Sequence, residues 1–299
     1  MTTTQPALVG AMIAVVLAIT ASLLIGLLIV CVGRDRLALI RSDPDTFTSR
    51  LRAITPYVAV LAGILILNKG LQAHIVAFSY EYGIEPTALF YAIEGDFVAG
   101  VQGLFPDAMT PYFSGMYVFG YVVLLTFPLV AYLFASSTRP IETTVLAYSI
   151  NYAIAVVCYA TVRAHGPRTY HEESESAATV SHGLVELFPD IVYLTSLVNS
   201  QTNIFPSLHA SLSVTVLLIA QLNHTELPRW TPIAALLSTS VVVATMALGI
   251  HWLIDVAAGV VLAIVSVTGA RAIVRCRDGD DLLATAVARL GIDAARNND

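Results

Sequence analysis

The chain has 299 residues, of which 57% are hydrophobic and only 12% charged, with a mean hydropathy of +0.76. A soluble domain carries about a quarter charged residues, so this composition requires lipid as part of the solvent. A net charge of −6, from 15 basic and 21 acidic residues with no basic patch, argues against nucleic acid as a partner.

The apolar runs predict an all-α, polytopic membrane helix bundle, since about 20 apolar residues span a bilayer. The first run, near 7–32, follows the start Met-Thr-Thr-Thr-Gln, which lacks a positive charge. It is too long for the apolar core of a signal peptide and reads as a transmembrane helix. Further runs lie near 53–71, 111–136, 142–162, 206–222 and 231–274. The last exceeds one span and contains His251 and Asp255, so it splits into 231–249 and 251–274, turning around Gly249.

Arginine positions orient these seven runs. Arg34, Arg36, Arg41, Arg50 and Arg52 follow the first run, Arg139 separates the third from the fourth, and Arg229 the fifth from the sixth. Arg271, Arg275 and Arg277 end the last. If every run crosses, all four basic regions share one side, which the positive-inside rule makes cytoplasmic. The N-terminus, segments 72–110 and 163–205 and the turn at 249–252 then face outward, and the C-terminus lies in the cytoplasm. The expected architecture is a six-helix core plus an N-terminal transmembrane helix, in a cell membrane.

The outer segments have their own character. Segment 72–110 interleaves apolar residues with Glu81, Glu85, Glu94, Asp96 and Asp107, as an interfacial helix over a site or a solvated acidic loop would. Segment 163–205 opens with Arg163 and Arg168, passes through an acidic stretch from His171 to Glu175, and ends near Asn203. Lys69 and His74 read as interfacial anchors closing the second span, and Trp230 and Trp252 suit the aromatic belt. Cys31, Cys158 and Cys276 have neither metal-ligand spacing nor the number for a disulfide framework.

Ionisable residues inside membrane runs are costly, which draws attention to two clusters. In the first, Asn203-Ile204-Phe205-Pro206-Ser207-Leu208-His209-Ala210-Ser211, Pro206 marks a helix start. Ser207 and His209 then fall in the first turn, where free N–H groups favour an anion. Ser207 can donate to a phosphate and His209 can protonate a leaving group; equally, Ser207 can be a cap and His209 an interfacial histidine. In the second, Gly249-Ile250-His251-Trp252-Leu253-Ile254-Asp255-Val256-Ala257-Ala258-Gly259, His251 and Asp255 stand four apart and would share a helix face. A carboxylate that fixes the tautomer leaves the other ring nitrogen free to act as a nucleophile. A structural His–Asp pair pinning two helices gives the same spacing.

Taken together, Pro-Ser-x-His followed by His-x-x-x-Asp and a small-residue helix resembles the type 2 phosphatidic acid phosphatase (PAP2) superfamily over roughly 140–274. The form Phe205 to Ala210 with His251 to Gly259 looks especially like the branch containing inositol phosphorylceramide synthases. The family's basic motif, with a lysine six residues before Arg-Pro, is altered here to Arg163-Ala164-His165-Gly166-Pro167-Arg168, with no lysine near. Arg168 is the candidate phosphate grip, because a guanidinium holds two oxygens in a fork, and Arg163 stands in for the lysine. His165 reads as a bystander.

The resemblance implies three units: 1–52, the N-terminal transmembrane helix and basic loop; 53–277, the transmembrane catalytic domain; and 278–299, a polar cytoplasmic tail. It also implies a two-step mechanism without metal or cofactor. His251 attacks phosphorus to form a phosphohistidine, Asp255 orients it, His209 protonates the departing oxygen, and Arg163, Arg168 and Ser207 stabilise the phosphoryl charge. The substrate would be a lipid-linked phosphate or diphosphate, met on the extracytoplasmic face. If a lipid hydroxyl replaces water, the same site becomes a phospho-headgroup transferase. The sequence holds no G-x-x-x-x-G-K-[ST] loop, so a nucleotide partner is not expected. A proton-coupled transporter is the reading from another class, but it calls for charges scattered across several helices.

Overall fold

The computed structural model describes residues 4–173 and 204–296; the acidic stretch beyond Glu173, and Asn203, lie outside the described residues. Regular structure there is helical, with one isolated bridge between Ile84 and Val162. In chain order the α-helices are α1 (Thr4–Leu27), α2 (Arg34–Ser42), α3 (Pro44–Tyr82), α4 (Thr87–Glu94), α5 (Phe97–Gly103), α6 (Thr110–Gly115), α7 (Tyr121–Ala131) and α8 (Arg139–Thr161). There follow α9 (Pro167–Glu173), α10 (Leu208–Leu222), α11 (Trp230–Ala247) and α12 (Leu253–Arg296). Short π-helical turns extend α1 (Leu28–Val32) and join α6 to α7 (Met116–Gly120).

Six stretches are long and apolar enough to cross a bilayer: Ala14–Val32, Pro44–Tyr82, Asp107–Phe134, Arg139–Thr161, Trp230–Ala247 and Leu253–Arg277. The shorter apolar helix α10 has 15 residues. At 1.5 Å per residue it reaches only about 22 Å, less than the hydrocarbon core, and it is packed within the bundle. Every apolar run expected from the sequence is thus helical. The last run does divide: Gly249 has φ +66°, a left-handed conformation that favours glycine, and α11 ends just before it.

Packing sets the layers. The apolar window of α8 is 56% buried and that of α3 only 6%, so α8 is a central helix and α3 a rim helix exposing its apolar side chains to lipid. The core between α7, α8, α10, α11 and α12 is built on Leu124, Phe127, Ala147, Leu212, Ala234 and Val267. Trp230 lies in this core fully buried, and Trp252 is fully buried elsewhere, so neither serves the aromatic belt expected of them. The second span also runs past its expected end near residue 71. Its polar groups are satisfied on the helix, as Lys69 donates to Gln72 at 2.9 Å, and the helix stops only at Gly83. α3 and α12 each run unbroken through the expected unit boundaries at 52/53 and 277/278.

The bundle has two chemically distinct ends. At one, Arg36 donates to the Glu226 carbonyl, Glu226 accepts from the Ser136 amide, and Arg50 donates to the Leu133 carbonyl. Arg229 donates to the Val30 carbonyl, inside the π-turn, and Arg277 pairs with buried Glu142 at 2.8 Å. The arginine-bearing loops therefore meet at a common end. At the other, segment 83–106 packs over residues 162–171 and 204–209 and the turn at 248–252. Segment 72–110 is not an open loop: after α3 it forms α4 and α5, which rest on that turn.

Candidate active site

Two helix starts build the site. Ser207 is the N-cap of α10: its hydroxyl oxygen accepts the Ala210 amide at 3.2 Å. A serine oxygen is among the best acceptors for such an orphan N–H, so the helix begins at Leu208. Pro206 and Ser207 therefore precede the first turn rather than occupying it, while His209 does lie in it. Ser207 is fully buried, and its hydroxyl hydrogen remains available to donate.

At the second start, Trp252 is the residue before α12 and Asp255 sits in the first turn, its carboxylate accepting the Trp252 amide at 2.9 Å. His251 therefore lies outside the helix, and its pairing with Asp255 is made across the helix start, not along a helix face as the four-residue spacing suggests. The His251 Nδ1 to Asp255 Oδ2 distance is 3.5 Å, with the carboxylate fully buried and His251 only 4% exposed. The Thr245 carbonyl accepts the His251 amide at 3.1 Å, which holds the turn. Burial pushes the His251 imidazole down to about 3, with a backbone hydrogen bond at Ile204 acting the other way. The ring is therefore neutral at neutral pH, the form that carries a free lone pair.

The two starts are joined directly. The Ser207 amide donates to the Asp255 carbonyl at 3.0 Å. One turn further along α12, Gly259 faces this junction, where a Cβ would lie 2.6 Å from the Ser207 carbonyl oxygen. Across it, the rings of His209 and His251 have centroids 6.2 Å apart.

The two arginines diverge. The Arg168 amide donates to the Gly249 carbonyl at 3.1 Å, which pins Arg168 to the turn that carries His251. Its Nη1 is buried without a hydrogen-bond partner among the described residues, and its charge acts on the Tyr117 hydroxyl. Arg163 lies over the Tyr80 ring of α3, 4.2 Å from its centroid, and its amide donates to the Ile84 carbonyl. The Arg168 backbone is thus tied to the turn that carries His251, while Arg163 packs on the rim helix, its Nε also buried without a hydrogen-bond partner among the described residues. His165 contributes backbone, accepting the indole N–H of Trp252 at 2.8 Å and donating its amide to Thr87.

Several neighbours were not legible. Tyr117 and Tyr121 lie 4.3 and 4.4 Å from the His209 ring centroid, and Tyr159 donates to the Pro206 carbonyl. Asn151 holds Ser211, next to the motif, and donates to Thr215. Their spacing carries no signal beyond that of a buried helix face. Glu94 accepts the Leu253 and Ile254 amides, so its carboxylate covers the start of α12. Tyr91, Tyr170, His171 and Trp252 close over the turn as an aromatic cluster. No group of three or more metal-ligating side chains stands together among the described residues.

Chemically, this arrangement offers a neutral imidazole backed by a carboxylate, a second imidazole facing it, an arginine with an unpaired donor, and two helix N-termini. The family model of the PAP2 superfamily matches residues 96–269, a stretch that includes Arg163, Arg168, Ser207, His209, His251 and Asp255. No curated protein and no solved structure matches the chain.

Proposed function

Since the chain belongs to the PAP2 superfamily, which supports a phosphatase-type function, we propose that it is a membrane lipid phosphatase acting through a phosphohistidine. The substrate is a lipid phosphate or polyprenyl diphosphate, and the site opens at the end of the bundle away from the arginine loops, the extracytoplasmic face. The observation that carries this reading is the 6.2 Å separation of the His209 and His251 rings. Near-attack distances are about 3–3.5 Å, so two imidazoles this close can address one phosphoryl group, one at phosphorus and the other at the leaving oxygen.

In the first step a His251 nitrogen forms a bond to phosphorus as the bond to the lipid oxygen breaks, and His209 gives that oxygen a proton. In the second, water attacks phosphorus, His209 takes its proton, the N–P bond breaks and phosphate leaves. Asp255 steadies the His251 ring in its cationic phosphorylated state. Arg168, Ser207 and the N-terminus of α10 bear the phosphoryl charge, the larger part of catalysis in such transfers. Arg163 acts at longer range.

A second reading, transfer of the phosphoryl-bearing group to a lipid hydroxyl instead of water, draws on one feature: His251 is almost wholly shielded from solvent. Purified protein given a labelled lipid phosphate with mixed alcohol acceptors separates the outcomes. Free phosphate indicates a phosphatase, and a new labelled lipid a transferase. Neither product from the wild type, or full activity in H251A, would remove the proposal.

A further inference from the structure

We infer that Tyr117 and Tyr121 form an aromatic clamp that positions His209 as the proton donor to the leaving group. This rests on the reading of His209 as the acid of the first step. The Tyr117 ring stacks on His209 at 4.3 Å and 22° between planes, and the Tyr121 ring lies at 4.4 Å and 38°. Both stand at the π-turn Met116–Gly120, Tyr117 within it and Tyr121 directly after it as the first residue of α7. π-turns inside helices recur at functional sites because the widened turn re-aims side chains. Here it brings two phenol rings, four residues apart, onto one imidazole contributed by a different helix.

The clamp has two physical effects. It restricts the His209 ring to an orientation facing His251, whereas an imidazole on a first helical turn otherwise has several rotamers. Burial and the neighbouring His251 push the His209 imidazole down to about 3, and the negative faces of the two phenol rings act against that, toward the imidazolium His209 must be before it donates. The turn itself is closely packed: Gly120 is buried, and a Cβ there would stand 3.0 Å from the Met116 sulfur.

The test compares leaving groups. A lipid alkoxide needs a proton to depart, whereas p-nitrophenolate leaves without one. Tyr117→Leu and Tyr121→Leu, purified in detergent and shown monodisperse, are assayed by single-turnover release from a lipid phosphate and from p-nitrophenyl phosphate. General acid catalysis contributes about 100-fold to 10,000-fold, so a loosened acid should lower lipid release at least about tenfold more than p-nitrophenolate release. Tyr117→Phe and Tyr121→Phe keep the ring faces and should restore most of the lost rate. Equal losses with both substrates, or phenylalanine variants as impaired as the leucine ones, would overturn the clamp. His209→Ala is the internal control. If it too shows equal losses, the assignment of His209 as the acid fails; if it alone shows the leaving-group difference, only the clamp fails.

Discussion

The amide of Ser207 donates to the carbonyl of Asp255 at 3.0 Å, which fastens the start of α10 to the start of α12. Two helix N-termini are thereby brought side by side, each with the positive end of a macrodipole, and two amides of the α12 start are held by the Glu94 carboxylate. His209 stands in the first turn of one helix, and His251 just ahead of the other.

That junction depends on a missing side chain. A Cβ on Gly259 would lie 2.6 Å from the Ser207 carbonyl oxygen and 3.1 Å from the Ala210 Cβ, neither of them flexible. Overpacking a tight contact costs about 1–3 kcal/mol. Gly259→Ala should therefore lower the thermal midpoint and reduce turnover by widening the gap between the two histidines. A variant as stable and active as the wild type would show that the helices do not need this contact.

The two arginines should separate in kinetics. Arg168→Lys keeps the charge but loses the planar fork, and loss of such a contact should lower kcat/KM by about 10-fold to 1,000-fold. Arg163→Ala, removing a guanidinium that lies on Tyr80, should cost activity less and stability more. Equal catalytic losses in the two variants would place Arg163 on the phosphate as well.

Glu94 provides a pH handle on the outer segment. Burial raises its carboxyl above the usual range, against the hydrogen bonds from the Ile254 and Leu253 amides, with Asp255 adding to the rise. A carboxyl raised in the fold favours the fold below its unfolded pKa, and that contribution is lost as pH climbs through the folded value. Glu94→Gln retains an acceptor without the charge. Its thermal midpoint should gain on the wild type as pH rises from acid to neutral, while Glu94→Ala should be less stable throughout. Parallel pH curves for wild type and Glu94→Gln would contradict this.

Much of the scaffold was legible because lipid imposes a strong rule: apolar runs must be helical, and arginines gather at one end. The break at Gly249 and the convergence of the two histidine motifs followed from residues visible in the chain. The local detail did not. Ser207 is a cap and His251 precedes its helix, because the hydroxyl of Ser207 and the carboxylate of Asp255 each satisfy an amide that spacing alone leaves unassigned. The apolar run ends near residue 71, yet α3 continues to Tyr82 until glycine stops it. Tyr117, Tyr121 and Glu94 reach the site from elements distant in sequence, and nothing in their local patterns names their partners. Arg163 and Arg168 share one motif, but the backbone bond from Arg168 to Gly249 sends only one of them to the turn.

The most direct measurement is rapid quench of the enzyme during turnover of a phosphorus-labelled lipid phosphate, under alkaline conditions that preserve phosphohistidine, with peptide mapping. The expected result is a phosphoryl group on the peptide containing His251, absent in His251→Ala and accumulating when His209 is replaced and a good leaving group is supplied. Full turnover with no phosphorylated peptide, together with retained activity in His251→Ala, would contradict nucleophilic attack by this histidine.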